Sequence, residues 1–332
     1  DIGAYEVQSL SLIVDTLVDE SDGDYSALDL SLREALELAN ANPGADTVTF
    51  DGSLSGGTIN LALGMLTAGN DLTLTGLGAD QLTIDAGGSS RVMRVTGTAD
   101  ISGLTLTGGQ ADRGGGLRNY GSAVTTLTDI VITGNTATTG SYDAGGGIWN
   151  VGNLTITSST LSNNSATGGR GGGIWSNDTV DISDSTLSGN SSTDRGGGVW
   201  NEGILTVTNS TFSGNTASEG GGIRNLGGSA TSTISHSTFT GNSAASSGGG
   251  IFRGSGTVTL SHTLVSGNTA ASGNELGGFI TLNDYNLIGD SSQTTAQAIS
   301  GTTAGANDIT ATSDGTTPTA LASILDTTLA DN

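Results

Sequence analysis

Six residues recur at nearly constant intervals and carry side chains able to bind a ligand: Arg118, Trp149, Trp175, Trp200, Arg224 and Phe252. Every tryptophan of the chain is among them. Aromatic rings repeated on one side of a stack and flanked by guanidinium groups can hold sugar rings or a protein surface by stacking and cation–π contact. The alternative is that they pack beneath neighbouring loops and stabilise the stack. A second set, Asp112, Arg113, Asp143, Arg170, Asp194 and Arg195, lies a few residues earlier in each interval. Carboxylates for calcium and a base to abstract a proton would suit a polysaccharide lyase. Arginine is a poor base, however, with a pKa of about 12 or more, and surface ion pairs explain the set better. Asp19, Asp22, Asp24 and Asp29 crowd one short loop around Gly23. Calcium takes six to eight oxygen ligands and such a loop can supply several. The spacing is not that of an EF-hand, and a solvated acidic loop is the competing reading. No other cofactor is implied. His236 and His262 fall in one column, where an exposed turn explains them better than a metal pair. Thr126, Thr155, Thr206, Thr233 and Thr259 also align, but Asp181 interrupts them, so they read as ordinary strand residues.

The elements that must position these residues are repeats. Gly114-Gly115-Gly116-Leu117 is followed by Gly145-Gly146-Gly147-Ile148, Gly171-Gly172-Gly173-Ile174, Gly196-Gly197-Gly198-Val199, Gly220-Gly221-Gly222-Ile223 and Gly248-Gly249-Gly250-Ile251. Counted at the third glycine, the steps are 31, 26, 25, 24 and 28 residues. A period in this range marks a solenoid. Each unit reads as three short strands ending in a turn with asparagine: Asn135, Asn164, Asn190, Asn215, Asn242 and Asn268. Stacked asparagines can pass amide hydrogen bonds from coil to coil. Aligning on them produces two apolar columns. One is Leu127, Ile156, Ile182, Val207, Ile234 and Leu260; the other is Ile132, Leu161, Leu187, Phe212, Phe239 and Val265. Apolar columns with polar neighbours are the pattern of half-buried strands, here in parallel at about 4.8 Å per coil. Because Ile148, Ile174 and Val199 take the core, strand alternation predicts that the following tryptophans point outward.

Residues 10–50 read as a cap, with a helix over about residues 31–42. Ser31 and Glu34 form a capping box, and Leu32, Ala35, Leu36 and Ala39 make one apolar face. A coil stack has an open end that such a helix can cover. The solenoid is expected over 51–290, regular from about 101. Residues 291–332 read as a degenerate last coil or tail. Residues 1–9 form an extended segment in which Ile2, Ala4, Tyr5 and Val7 could add a strand to another unit.

Composition narrows the function classes. The 332 residues have a net charge of −23, and all nine basic residues are arginine. Such a chain should repel nucleic acid and anionic membranes. No apolar run approaches the roughly 20 residues of a membrane span, so no membrane insertion is expected. The absence of cysteine removes disulfides and thiolate metal sites. No signal peptide is visible, and the start at Asp1 suggests a processed product or a piece of something larger.

The pairing of Gly-Gly-Gly-Ile with Phe212-Ser213-Gly214-Asn215 and Phe239-Thr240-Gly241-Asn242 resembles the repeats of polymorphic outer-membrane proteins. Leu30-Ser31-Leu32-Arg33-Glu34-Ala35 through Phe50 resembles the CSLREA domain that opens many bacterial surface β-helix proteins, with Leu30 in place of that family's cysteine. Together the two likenesses cover most of residues 12–290. They imply an all-β, right-handed, single-stranded parallel β-helix with a short N-terminal capping α-helix, extracellular or at the cell surface, without established catalytic residues. In such proteins a segment like Asp1–Glu6 usually lies at the end of a β-helix unit. The chain thus resembles a register-shifted cut through a tandem array, or a subunit that lends its first strand to a neighbour. The reading is a non-enzymatic structural or adhesive protein assembling head to tail with itself. A glycan-binding module and a polysaccharide-active enzyme are the alternatives.

Overall fold

The computed structural model describes residues 9–138, 143–289, 293–305 and 307–310. The expected assembly strand, Ile2, Ala4, Tyr5 and Val7, lies outside the described residues. The chain forms a right-handed parallel β-solenoid of about ten turns, and every strand pair is parallel. One sheet has ten strands, from Leu66–Ala68 through Ile174–Ser176 to Ile299–Ser300. A second, of twenty strands, wraps two faces. Thr98–Thr107 and Val124–Thr133 run unbroken round the corner between those faces, and later coils split there, as in Asn153–Thr157 and Thr160–Ser162. A third sheet of six short strands, from Gln110–Ala111 to Ser243–Ser247, closes the coil.

Both predicted apolar columns are in register and buried: Leu127 pairs with Ile156, Ile156 with Ile182, Ile132 with Leu161, and Phe212 with Phe239. Phe212 and Phe239 stack at 4.6 Å. One continuous apolar core runs from the cap to Ile299. The corner inside the twenty-stranded sheet turns on a left-handed residue in successive coils: Asp129, Ser158, Asp184, Asn209, His236 and His262 have φ between 50 and 52°. Aspartate and asparagine tolerate this conformation better than most residues. His236 and His262 stack here at 4.9 Å on the exposed corner.

The triple glycines answer to crowding between coils. Gly171 has φ +71°, and a Cβ on Gly172 would collide with the backbone of Gly197 and Ser191. A Cβ on Gly173 would lie 2.6 Å from the carbonyl of Gly198. Substitution at any of the three would push neighbouring coils apart.

Helix α1, Leu32–Ala41, covers the first coil. The capping box is present: Ser31 Oγ accepts the Glu34 N–H at 3.1 Å and Glu34 accepts the Ser31 N–H at 3.2 Å. Leu32, Ala35, Leu36 and Ala39 are buried in the core. Near the other end, within the expected degenerate coil or tail, Thr295–Ala298 makes a single capped helical turn. The strand Ile309–Thr310 pairs with Leu287–Ile288, so part of the expected tail is a further coil.

Candidate functional site

Strand pairing places the six-residue ladder in register: Arg118 against Trp149, then Trp175, Trp200, Arg224 and Phe252. The column extends further, because Arg94 pairs with Arg118 and Thr67 with Arg94. The coil holding Arg94 lacks a glycine triplet, so only the 24-residue step from Met93 to Leu117 could have revealed it.

The tryptophans form a cluster of their own, separate from the continuous core, as alternation requires. The expectation of an outward aromatic strip needs correction, because Trp149, Trp175 and Trp200 are only 5, 3 and 0% exposed. Side chains from adjoining turns roof them. Arg118 lies 4.7 Å from the ring centre of Trp149, and Arg113 lies 5.4 Å from it. Arg170 and Arg224 lie 4.4 and 5.6 Å from Trp200, and Arg224 also covers Phe252 at 4.5 Å. Trp149 and Trp175 stack at 5.5 Å, and Val151 and Leu226 pack against the cluster. The three indole N–H groups are buried and have no hydrogen-bond acceptor among the described residues.

Carboxylates fix the roof over the later coils. Arg170 pairs with Asp194 at 3.0 Å and approaches Glu202 at 3.9 Å. Arg195 and Arg224 both reach Glu219 at 3.0 Å. Of the residues weighed for acid–base work, Arg170, Asp194 and Arg195 are therefore engaged in ion pairs, and Arg170 is held over the Trp200 ring. The cavity of about 530 Å³ beside the cap has Asp71 as its one ionisable lining residue.

The acidic loop is held by different contacts. The Asp19 side chain is buried and grips Arg33 at 2.8 Å while accepting the N–H groups of Ala62 and Leu63 at 2.7 and 2.8 Å. It thereby ties the cap to the first coil. Glu34 accepts the N–H groups of Asp22 and Gly23, both at 3.1 Å, so the loop wraps round the capping-box carboxylate. Burial pushes the Glu34 carboxyl up, and the N–H groups of Ser31, Gly23 and Asp22 outweigh it, leaving the group below its ordinary value. Desolvation and the charges of Asp24, Asp22 and Glu34 hold Asp29 above its ordinary value. Asp24 is lowered by its hydrogen bonds with Ser26. Among the described residues, no three His, Asp or Glu side chains converge as a metal site. Asp19 is turned to Arg33, while Asp22, Asp24 and Asp29 lie close enough for their charges to act on one another.

The asparagine ladder forms as expected and ends in an unforeseen way. Asn135, Asn164, Asn190, Asn215 and Asn242 each donate an amide N–H to the next asparagine's Oδ1 at 2.8–3.0 Å. The last, Asn268, donates to Glu275 at 2.6 Å. Glu275 is fully buried and also accepts from the N–H groups of Gly267 and Asn268 and from the amide of Gln293. It occupies the position 25 residues after Gly250, where the repeat calls for a third glycine. Burial raises its carboxyl to about 7, opposed by its hydrogen bonds with Asn268, Gln293 and Gly267. A second ladder went unnoticed in the sequence: Ser159, Ser185, Ser210 and Ser237 each accept an N–H from the coil before.

Residues 209–225 and 236–252 match the Chlamydia polymorphic membrane protein repeat. No curated protein and no solved structure matches the chain. Among the described residues, no helix is long and apolar enough to cross a membrane.

Proposed function

We propose that this chain is a non-enzymatic extracellular β-helix, structural or adhesive, displayed at a cell surface and joined end to end with further copies or tandem units. The two segments similar to a membrane-protein repeat support the surface placement. The likeness of residues 30–50 to CSLREA domains belongs to the same reading. The observation that carries end-to-end assembly is the inequality of the two ends. Among the described residues, the first coil is covered by an apolar helix face, whereas Phe279, Tyr285 and Ile309 are exposed in the last described coils. An uncovered coil edge offers unpaired backbone groups to an incoming strand. The occupant we assign is the segment of residues 1–9 from the next unit, whose alternate Ile2 and Ala4 would enter the core while Tyr5 and Val7 lie on the other face of the strand. Repeating one head-to-tail contact gives an open filament. Nucleic acid and lipid bilayers are not partners in this reading, because the acidic surface repels both.

Electron microscopy and sedimentation of the chain with and without residues 1–9 test it. Filaments should form from the full chain and disappear on deletion. Filaments of unchanged length from the deletion variant would rule out the donated strand.

A further inference from the structure

The later arginines are matched by acids: Arg170, Arg195 and Arg224 share Asp194, Glu202 and Glu219. The second and third coils are different. Arg91, Arg94 and Arg118 meet on the outward side of the ten-stranded sheet, where Asp112 is the one carboxylate paired with them among the described residues. Arg91 is nearly buried and anchored to the carbonyls of Arg113 and Gly114 at 2.7–3.1 Å. Its guanidinium is lowered to about 10, by burial first and also by the charges of Arg118 and Arg94. Arg94 and Arg118 are register partners on adjacent coils. Both are partly exposed, neither has a carboxylate partner among the described residues, and the Nε of each is buried without an acceptor. Arg118 lies 4.7 Å from the ring centre of Tyr120, which is 48% exposed and stacks on Trp149 at 6.1 Å.

Unmatched, partly desolvated cations side by side are unfavourable unless an anion joins them. On a chain of net charge −23 such a cluster stands out from its surroundings. We propose that Arg94, Arg118 and Tyr120 form a binding site for a sugar bearing a single carboxylate, such as a uronic acid residue within an otherwise neutral glycan. The carboxylate bridges the two guanidinium groups, whose planar forks suit it, and the sugar ring lies against Tyr120. Arg91 is a positioning residue that adds charge from beneath. The negative field of the whole molecule selects against densely charged polyanions, so heparin is a poor ligand although it carries more anionic groups. This site does not depend on end-to-end assembly.

The test titrates the full chain with a glucuronic-acid-terminated oligosaccharide and follows tryptophan emission, since Trp149 stacks beneath Tyr120, together with calorimetry. The comparison ligands are the glucose-terminated analogue, heparin and a glutamate-containing peptide. The uronate should bind at least about tenfold more tightly than the neutral sugar, with heparin and the peptide weaker than the uronate. Arg94→Gln and Arg118→Gln should each reduce uronate binding about tenfold or more. Lysine at either position should restore part of it, and Arg253→Gln should leave it unchanged. Thermal melting of each variant separates lost binding from lost folding, and the wild-type ligand series is decisive without any variant. Equal binding of the uronate and the neutral sugar, no uronate binding at all, or equal binding of the peptide would overturn the proposal.

Discussion

Glu275 sits where a repeat residue should be glycine, and its carboxylate closes the amide ladder. Every amide in that ladder donates in the same direction, so the positive end of the stacked dipoles points at Glu275. An acceptor-only group is the natural terminus, but burial opposes its charge. With a folded value of about 7 against an ordinary 4.5, the folded chain binds more protons than the unfolded chain between those limits. Stability from this group is therefore complete below about pH 4.5, falls as pH rises through 7, and is flat above. The full effect is on the order of 3 kcal/mol. Protonation also offers a partner to Gln293 Oε1, which is buried without a donor among the described residues. Urea denaturation at pH 5 and pH 8 should show wild type losing stability while Glu275→Gln loses distinctly less. Equal slopes for both chains would show that Glu275 does not titrate in this window. The residue was visible in the sequence only as an interruption in the glycine register, and a column read for its consensus hides its exceptions.

At the scale of the coil, repetition made the core and its asparagines legible. A single Asn190 says little, but six asparagines in one phase leave few registers that bury the leucines and isoleucines. Each buried asparagine serves two coils: Asn190 donates to Leu161 O at 2.9 Å and Asn215 Oδ1 at 3.0 Å, and accepts from Asn164. Asn190→Ala removes all of these at once and takes the Asn190 Oδ1 acceptor from both the side-chain amide and the backbone N–H of Asn164. With buried unsatisfied groups at about 1–3 kcal/mol each, the loss should reach roughly 3–5 kcal/mol. Thr155→Val on the outer face should change stability by less than about 0.5 kcal/mol. Denaturation midpoints check both, and comparable losses at the two positions would mean that the ladder is not a principal support. What alternation could not show was the roof over the tryptophans. It told which side of the strand Trp175 takes, but not what lies above it. That depends on arginine side chains reaching across coils to acids about 24 residues away, as Arg170 does to Asp194 and Arg195 to Glu219. Arg195 and Glu219 each stand directly before a glycine triplet and pair in register, so that meeting follows the repeat phase, whereas Asp194 lies one residue out of that phase and its contact with Arg170 does not.

Over the whole molecule the arrangement is nearly one-dimensional, since each coil contacts chiefly its neighbours and stability passes along the stack. An end is then a structural problem in itself, because a terminal coil shows apolar side chains and unpaired strand edges. Helix α1 meets that problem at the first coil with Leu32, Ala35, Leu36 and Ala39. Three polar attachments hold it in place. Arg33 joins Asp19 and the carbonyl of Gly64 at 2.7 Å, Asn40 donates to Thr67 O at 2.8 Å, and Asn70 donates to the carbonyls of Asn40 and Asn42. These attachments bond the helix end to end onto the strands beneath it, so the cap and the first coil should open as one unit. Replacing Leu32 and Leu36 together by aspartate would put two charges against Leu66 and its neighbours, and neither charge would have a partner there. The cap should lift, the first coil edge should become available, and the chain should aggregate through it at concentrations where wild type does not. Hydrogen exchange should rise first in residues 11–14, 32–41, 46–50 and 66–68, while the glycine strands from Ile148 onward stay protected. If the double variant keeps the wild-type melting temperature, aggregation threshold and exchange pattern, the helix is an appendage, and the first coil is closed by its own strands alone.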